Sequence, residues 1–176
     1  MSTLTPCPNC HTLLPPLDGP THRYIGASAA CWAIYTNLNN GGEPPLAPNP
    51  YNALLVDAYA AQHYGVPSDQ AIQSVAVHLL TLYGVLVQGV SPDKALWLRQ
   101  RALREQKSSK RGRYHWLTPP SFADCLTVAD IVREPTPPAR SQKVKEYVEQ
   151  VWAIWSKPHL PIIIHWYDAY IIPDVI

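Results

Sequence analysis

Apolar residues along the chain fall into helical repeats separated by glycine, proline and small capping residues. Ser28 precedes a run holding Trp32, Ile34 and Tyr35, which predicts a helix from Ala29 to about Leu38. Asn39 to Pro50 reads as a loop, and a helix from about Tyr51 to His63 follows, ended by Gly65 and Pro67. The clearest helix spans Asp69 to about Gln88, with Ser68 as its cap, an acid in the first turn and Gly89 at its close. Ser91-Pro92 opens another, to about Arg104, with Ala95, Leu96 and Leu98 apolar and an arginine-rich face expected to be exposed. Tyr114 to Pro120 is expected to be extended, because Pro119 and Pro120 disfavour helix before them. Thr127 with Asp130 resembles a capping box for a short helix. Val144, Val148, Val151 and Trp155 then share one face of a helix from about Ser141 to Trp155. The apolar tail from Leu160 to Ile172 is compatible with helix or strand. The whole reads as an all-α helical bundle of four to six helices, in a single domain over residues 1–176. Residues 1–31 form an irregular, knuckle-like segment packed on the helical body.

Composition changes this picture in three ways. The chain is 47% hydrophobic and only 15% charged, so part of its apolar surface is expected to be covered by a protein partner, a small molecule or a homo-oligomer. A net charge of +1 argues against nucleic-acid binding. The single basic run, Lys107 to Arg113, reads as a solvated loop. The 19 prolines imply fixed loops and sharp helix ends, since the apolar content is too high for disorder. No stretch of about 18 apolar residues is present to span a membrane. Met1 to Pro20 lack the charged and apolar regions of a signal peptide, so a cytoplasmic setting is expected.

In such a setting disulfides are rare, and Cys-x-x-Cys more often holds metal or does redox work. Cys7-Pro8-Asn9-Cys10 is such a knuckle, and both thiolates can reach one tetrahedral ion. Cys31 falls in the first turn of the helix that Ser28 caps, where helix amides favour a thiolate. One zinc ion per chain is therefore expected on Cys7, Cys10 and Cys31, with His22 of the intervening loop as fourth ligand. His11 is tied too closely to the knuckle, and Cys125 reads as a small core hydrophobe. A redox dithiol of Cys7 and Cys10 is the weaker alternative, because the flanking sequence offers neither the strand nor the helix that chemistry uses.

Two apolar helices carry polar residues where core is expected. Asp57 is the only formal charge between Leu54 and His63, and Ser74, His78 and Thr81 form one stripe at helical spacing. A buried Asp and a buried His are costly unless paired, so Asp57 and His78 are expected to meet across an antiparallel helix pair. As function, Asp57, His63, Ser74 and His78 would be acid–base groups or metal ligands in a cleft, and a metal-dependent hydrolase would use them. As structure, they fix helix register. A Ser–His–Asp hydrolase fits poorly, because Ser74 lies mid-helix without a nucleophile elbow.

Taken together, CPxC (Cys7 to Cys10), DGPTHxY (Asp18 to Tyr24), SxxCW (Ser28 to Trp32), VDAYAxQH (Val56 to His63), QSVAVHL (Gln73 to Leu79) and WLxPP (Trp116 to Pro120) resemble an uncharacterised bacterial family. The family has no assigned activity, so the resemblance implies residues of interest and no reaction. It places Cys7, Cys10, His22, Cys31, Asp57, His63 and His78 at signature positions. Members carry a histidine shortly before Val-Asp-Ala-Tyr, where this chain has Asn52. The likeness extends to about Trp155.

Overall fold

The computed structural model describes residues 3–104 and 114–172. Two short strands, β1 (Thr5–Pro6) and β2 (Leu13–Leu14), pair antiparallel around the Cys7–Cys10 turn, where the sequence suggested only irregular structure. Six helices follow among the described residues: α1 (Ala29–Asn39), α2 (Leu55–Gln62), α3 (Asp69–Leu86), α4 (Ala95–Arg104), α5 (Val128–Arg133) and α6 (Pro137–Tyr170). This is the helical bundle that the apolar periodicity predicts. The basic run Lys107 to Arg113 lies outside the described residues.

Local signals set most of the boundaries. Ser28 and Ser68 accept from the backbone N–H of Cys31 and Ala71, three residues on, and so start α1 and α3. Thr127 and Asp130 form the expected capping box, with the Asp130 carboxylate accepting from the Thr127 backbone N–H at 2.8 Å and from its hydroxyl at 2.9 Å. Thr127→Ala is expected to cost about 1 kcal/mol, the usual worth of a cap. For a chain of this size that is a fall of about 2–4 °C in Tm, measurable by differential scanning fluorimetry. The expected helix from Tyr51 divides into a 3-10 turn, Pro50–Leu54, and α2, because Asn49 caps through Tyr51 and Pro50 stands in the first turn. A second 3-10 turn, Pro92–Lys94, leads into α4.

Helix α3 is the central element, packed against α2, α4 and α6, while α1 leans on α2 and α5. Leu79, Leu80 and Leu82 of α3 are fully buried, as are Val144, Val148, Val151 and Trp155 of α6. Trp155 is also fixed by polarity, donating from Nε1 to the Ala61 carbonyl at 2.9 Å. The apolar tail resolves as helix: α6 runs unbroken through Pro158 and Pro161 to Tyr170. Each interior proline removes a backbone donor. Burial of Ile163, Trp166 and Tyr167 offsets that loss, with Trp166 set edge-on to Tyr114 and Tyr167 to Tyr83. The arginine-rich face of α4 is not the solvated surface expected. Arg101 is buried and Arg99 turns inward. No helix among the described residues is long and apolar enough to cross a membrane.

Candidate metal centre and adjoining cleft

The β1–β2 turn folds tightly on itself. Cys7 N–H donates to the Thr12 carbonyl at 2.9 Å and His11 N–H to the Cys7 carbonyl at 3.0 Å, with His11 at a φ of 60°. That geometry turns the Cys7 and Cys10 sulfurs inward, and both residues are buried. Helix α1 brings the third sulfur, because the Ser28 cap holds Cys31 in the first turn. The Ser28 backbone N–H also points at Cys7 Sγ, 3.4 Å away, so the helix end shares its partial positive charge with the cluster.

The fourth group is His63, which caps the C-terminus of α2. Its Nδ1 lies 2.9 Å from the Tyr59 carbonyl. A carbonyl only accepts, so Nδ1 carries the proton and the Nε2 lone pair is left facing Cys31 Sγ at 3.4 Å. The ligand atoms of Cys7, Cys10, Cys31 and His63 all lie within 4.8 Å of one another, and all four residues are buried. Tetrahedral Zn–S bonds of about 2.3 Å and Zn–N bonds of about 2.0–2.1 Å imply S–S edges of about 3.8 Å and S–N edges of about 3.6 Å. Cys10 and Cys31 are 3.9 Å apart, and with the 3.4 Å Cys31–His63 separation the donor set fits such an ion. Without a cation three buried thiols cannot all ionise. Hydrogen bonds from Cys10 and Cys31 hold the Cys7 thiol far below the usual range. For Cys10 the hydrogen bond with Cys31 acts downward, but Cys7 and burial outweigh it and push the thiol up to about 12. Cys31 is driven further up by Cys10, Cys7 and burial.

His22, expected as the fourth ligand, is outside this cluster. Its ring sits edge-on to Tyr24 at 4.4 Å between centroids and beside Trp32 at 5.3 Å. His63, expected in the polar cleft with Asp57, is held instead among the sulfurs. The polypeptide junction that places it joins residues remote in sequence. Ile25 bridges Tyr64, Gly26 N–H donates to the His63 carbonyl at 2.9 Å, and Asn9 Nδ2 donates to the Tyr64 carbonyl at 2.5 Å. A side chain at Gly26 would meet Asn9 Oδ1 and the Tyr64 carbonyl at 2.7 Å, so only glycine permits this approach. Gln62, accepting from Tyr147 and donating to the Leu126 carbonyl, ties the same strand of chain to the helical body.

Asp57 and His78 do meet across α2 and α3, with Asp57 Oδ1 2.7 Å from His78 Nδ1. Asp57 is fully buried, and its second oxygen takes Arg99 Nη1 at 2.6 Å, a partner from α4 that the sequence reading missed. Two adjoining cavities of about 180 and 210 Å³ open beside this network and share Tyr24, Ser74 and His78 in their walls. Ser74 lies one turn from His78 without a hydrogen bond to it. Tyr59 separates the larger cavity from the sulfurs: its hydroxyl donates to Cys31 Sγ at 3.6 Å, and its ring stacks on His63 at 4.0 Å. Cys125 is buried away from the cluster, and burial pushes its thiol up to about 12.

The architecture and site define a helical protein whose N-terminal hairpin, α1 and the end of α2 together form a buried cluster of three cysteines and one histidine able to bind a metal ion. The chain belongs to a family of unknown function (DUF5946), whose profile matches residues 5–156. No curated protein and no solved structure matches it. The family region ends within α6, before Pro158 and Pro161.

Proposed function

We propose that this is a zinc-stabilised helical binding protein of one domain, in which a single zinc ion held by Cys7, Cys10, Cys31 and His63 anchors the N-terminal hairpin to the helices. The adjoining cleft takes a small molecule without converting it. The observation that carries the zinc reading is the Nδ1 hydrogen bond of His63, which orients Nε2 toward three buried sulfurs. A set of three sulfurs and one nitrogen in a tetrahedral arrangement suits zinc. Bound there, zinc supplies a positive charge that neutralises the thiolates and a link between segments remote in sequence. Four protein ligands leave no position for water, which supports a structural role over a hydrolytic one. Thiolates kept as ligands also suit a reducing compartment, so we place the protein in the cytoplasm.

A second reading, a metal-dependent hydrolase, is favoured by the Asp57–His78 pair beside the cleft, and it requires a metal that depends on His78. A dithiol redox protein would instead show a reversible Cys7–Cys10 disulfide and no metal. Elemental mass spectrometry on the wild type, His22→Ala, His63→Ala and His78→Ala separates them. One zinc per chain is expected in the wild type, His22→Ala and His78→Ala proteins, with most of it lost in His63→Ala. Zinc retained by His63→Ala and lost by His22→Ala would overturn the ligand assignment, and loss with His78→Ala would favour the hydrolase.

A further inference from the structure

The cleft has a definite chemistry, and we infer that it binds a small, neutral, planar heteroaromatic molecule of the nucleobase class; this rests on the small-molecule reading above. Its shape comes from aromatic walls. Trp32, Tyr35 and Tyr59 line the larger cavity, and Tyr35 and Tyr59 are stacked parallel at 3.9 Å, so they form a rigid slab. Tyr59 has Tyr35 on one face and His63 on the other, so an occupant meets its edge, and edge-to-face contact with such a wall suits a flat ring. The cavities, about 180 and 210 Å³, are each smaller than the roughly 300–1,000 Å³ of drug-sized sites, which limits the occupant to one or two fused rings.

Charge favours a neutral occupant over the obvious alternative, an anion. Among the described residues, Arg99 is the only formally charged side chain in the wall of either cavity, and its charge is matched by Asp57 at 2.6 Å. The edge groups are instead neutral hydrogen-bonding atoms. His78 gives Nδ1 to Asp57, which leaves Nε2 as the acceptor available to the cavities that it lines. His22 Nδ1 is buried with no hydrogen-bond partner, and such atoms are rare unless something else satisfies them. Ser74 and Gln73 add groups that donate or accept. A heteroaromatic base presents ring N–H donors and ring nitrogen or carbonyl acceptors around a planar edge, and matches this arrangement without any charge.

The test is saturation-transfer NMR on the zinc-loaded full chain with adenine, adenosine, benzoate and inorganic phosphate as separate probes. Adenine is expected to bind. Its affinity should fall at least tenfold in His78→Asn, which keeps a donor for Asp57 and takes Nε2 out of the cleft, and in His22→Ala. Benzoate and phosphate should not compete. Adenosine binding as tightly as adenine would support the inference and assign the base of a larger molecule as the occupant. Binding of benzoate or phosphate in place of adenine would overturn the ligand class and leave the small-molecule reading standing. If no probe binds, the inference falls. A mixed fragment library on the same sample then decides the reading beneath it: fragments competing at His22 and His78 retain it, and none doing so removes it.

Discussion

Cys31→Ser is expected to yield a protein with no bound zinc and a Tm lower by about 10 °C or more. Cys31 sits at the centre of the cluster. Its sulfur is 3.9 Å from Cys10 Sγ and 3.4 Å from His63 Nε2, and it accepts from the Tyr59 hydroxyl. A serine oxygen is a poor replacement for a thiolate on zinc, so the variant loses the metal and leaves Cys7, Cys10 and His63 packed in a buried, under-satisfied pocket. Structural zinc contributes about 10–16 kcal/mol in peptides that have no other fold. Here the helices have their own core, so the loss should be partial, about 5 kcal/mol, and confined at first to the hairpin and the start of α1. Thermal melts of the variant and of chelator-treated wild type should agree, and amide exchange should report opening of residues 5–31 before α3. A Cys31→Ser protein that keeps its zinc, or melts with the wild type, would remove the metal from its anchoring role.

Proton release gives an independent check on the same centre. In the metal-free fold Cys7 is ionised at neutral pH, while Cys10, pushed up to about 12, and Cys31, higher still, keep their protons. Zinc must displace those protons, so about two should be released per ion bound near neutral pH. Affinity should therefore weaken as pH falls. Calorimetric titrations in buffers of different ionisation enthalpy count the protons, and a count near zero would mean that the thiols are not the ligands.

The helices were legible in the sequence because their information is local. Ser28, Ser68 and the Thr127–Asp130 box act within one turn, and the Val144-to-Trp155 face repeats at helical spacing. The three cysteines were legible for the same reason: a knuckle and a capped helix start are short-range patterns. The fourth member of the cluster was not. His22 is closer in sequence to the knuckle, but His63 reaches it through the Ile25–Tyr64 bridge and the Asn9–Tyr64 hydrogen bond, contacts that no local pattern encodes. The one available signal was its place at the end of a helix just before Gly65, where a side chain points back over the last turn. The tail, compatible with helix or strand from its sequence, stayed open for a related reason. Pro158 and Pro161 argue locally against helix, and only burial of Ile163 and Trp166 against distant residues overrides them.

Arg99 shows what a charge argument can add to pattern reading, and it sets the second large effect. A fully buried carboxylate is stable only with compensation, and the hydrogen bond with His78 meets only one of its two oxygens. The helix pair alone therefore predicts a missing cation, which α4 supplies at 2.6 Å. Asp57→Ala is expected to destabilise the protein by about 3–5 kcal/mol, because it strands a mostly buried guanidinium and leaves His78 Nδ1 without its acceptor. Zinc content should be unchanged, since no atom of this network lies in the sulfur cluster. Replacing all three residues together, Asp57→Leu, Arg99→Leu and His78→Leu, should restore most of the stability, because a well-packed apolar set of similar volume is often as stable as a buried ion pair. Urea melts of the single and triple variants decide the matter. A single variant within about 1 kcal/mol of the wild type, the worth of an exposed pair, would mean that water reaches the network and screens it. A triple variant as unstable as the single would mean that the network specifies the packing of α2, α3 and α4, not merely its own charges.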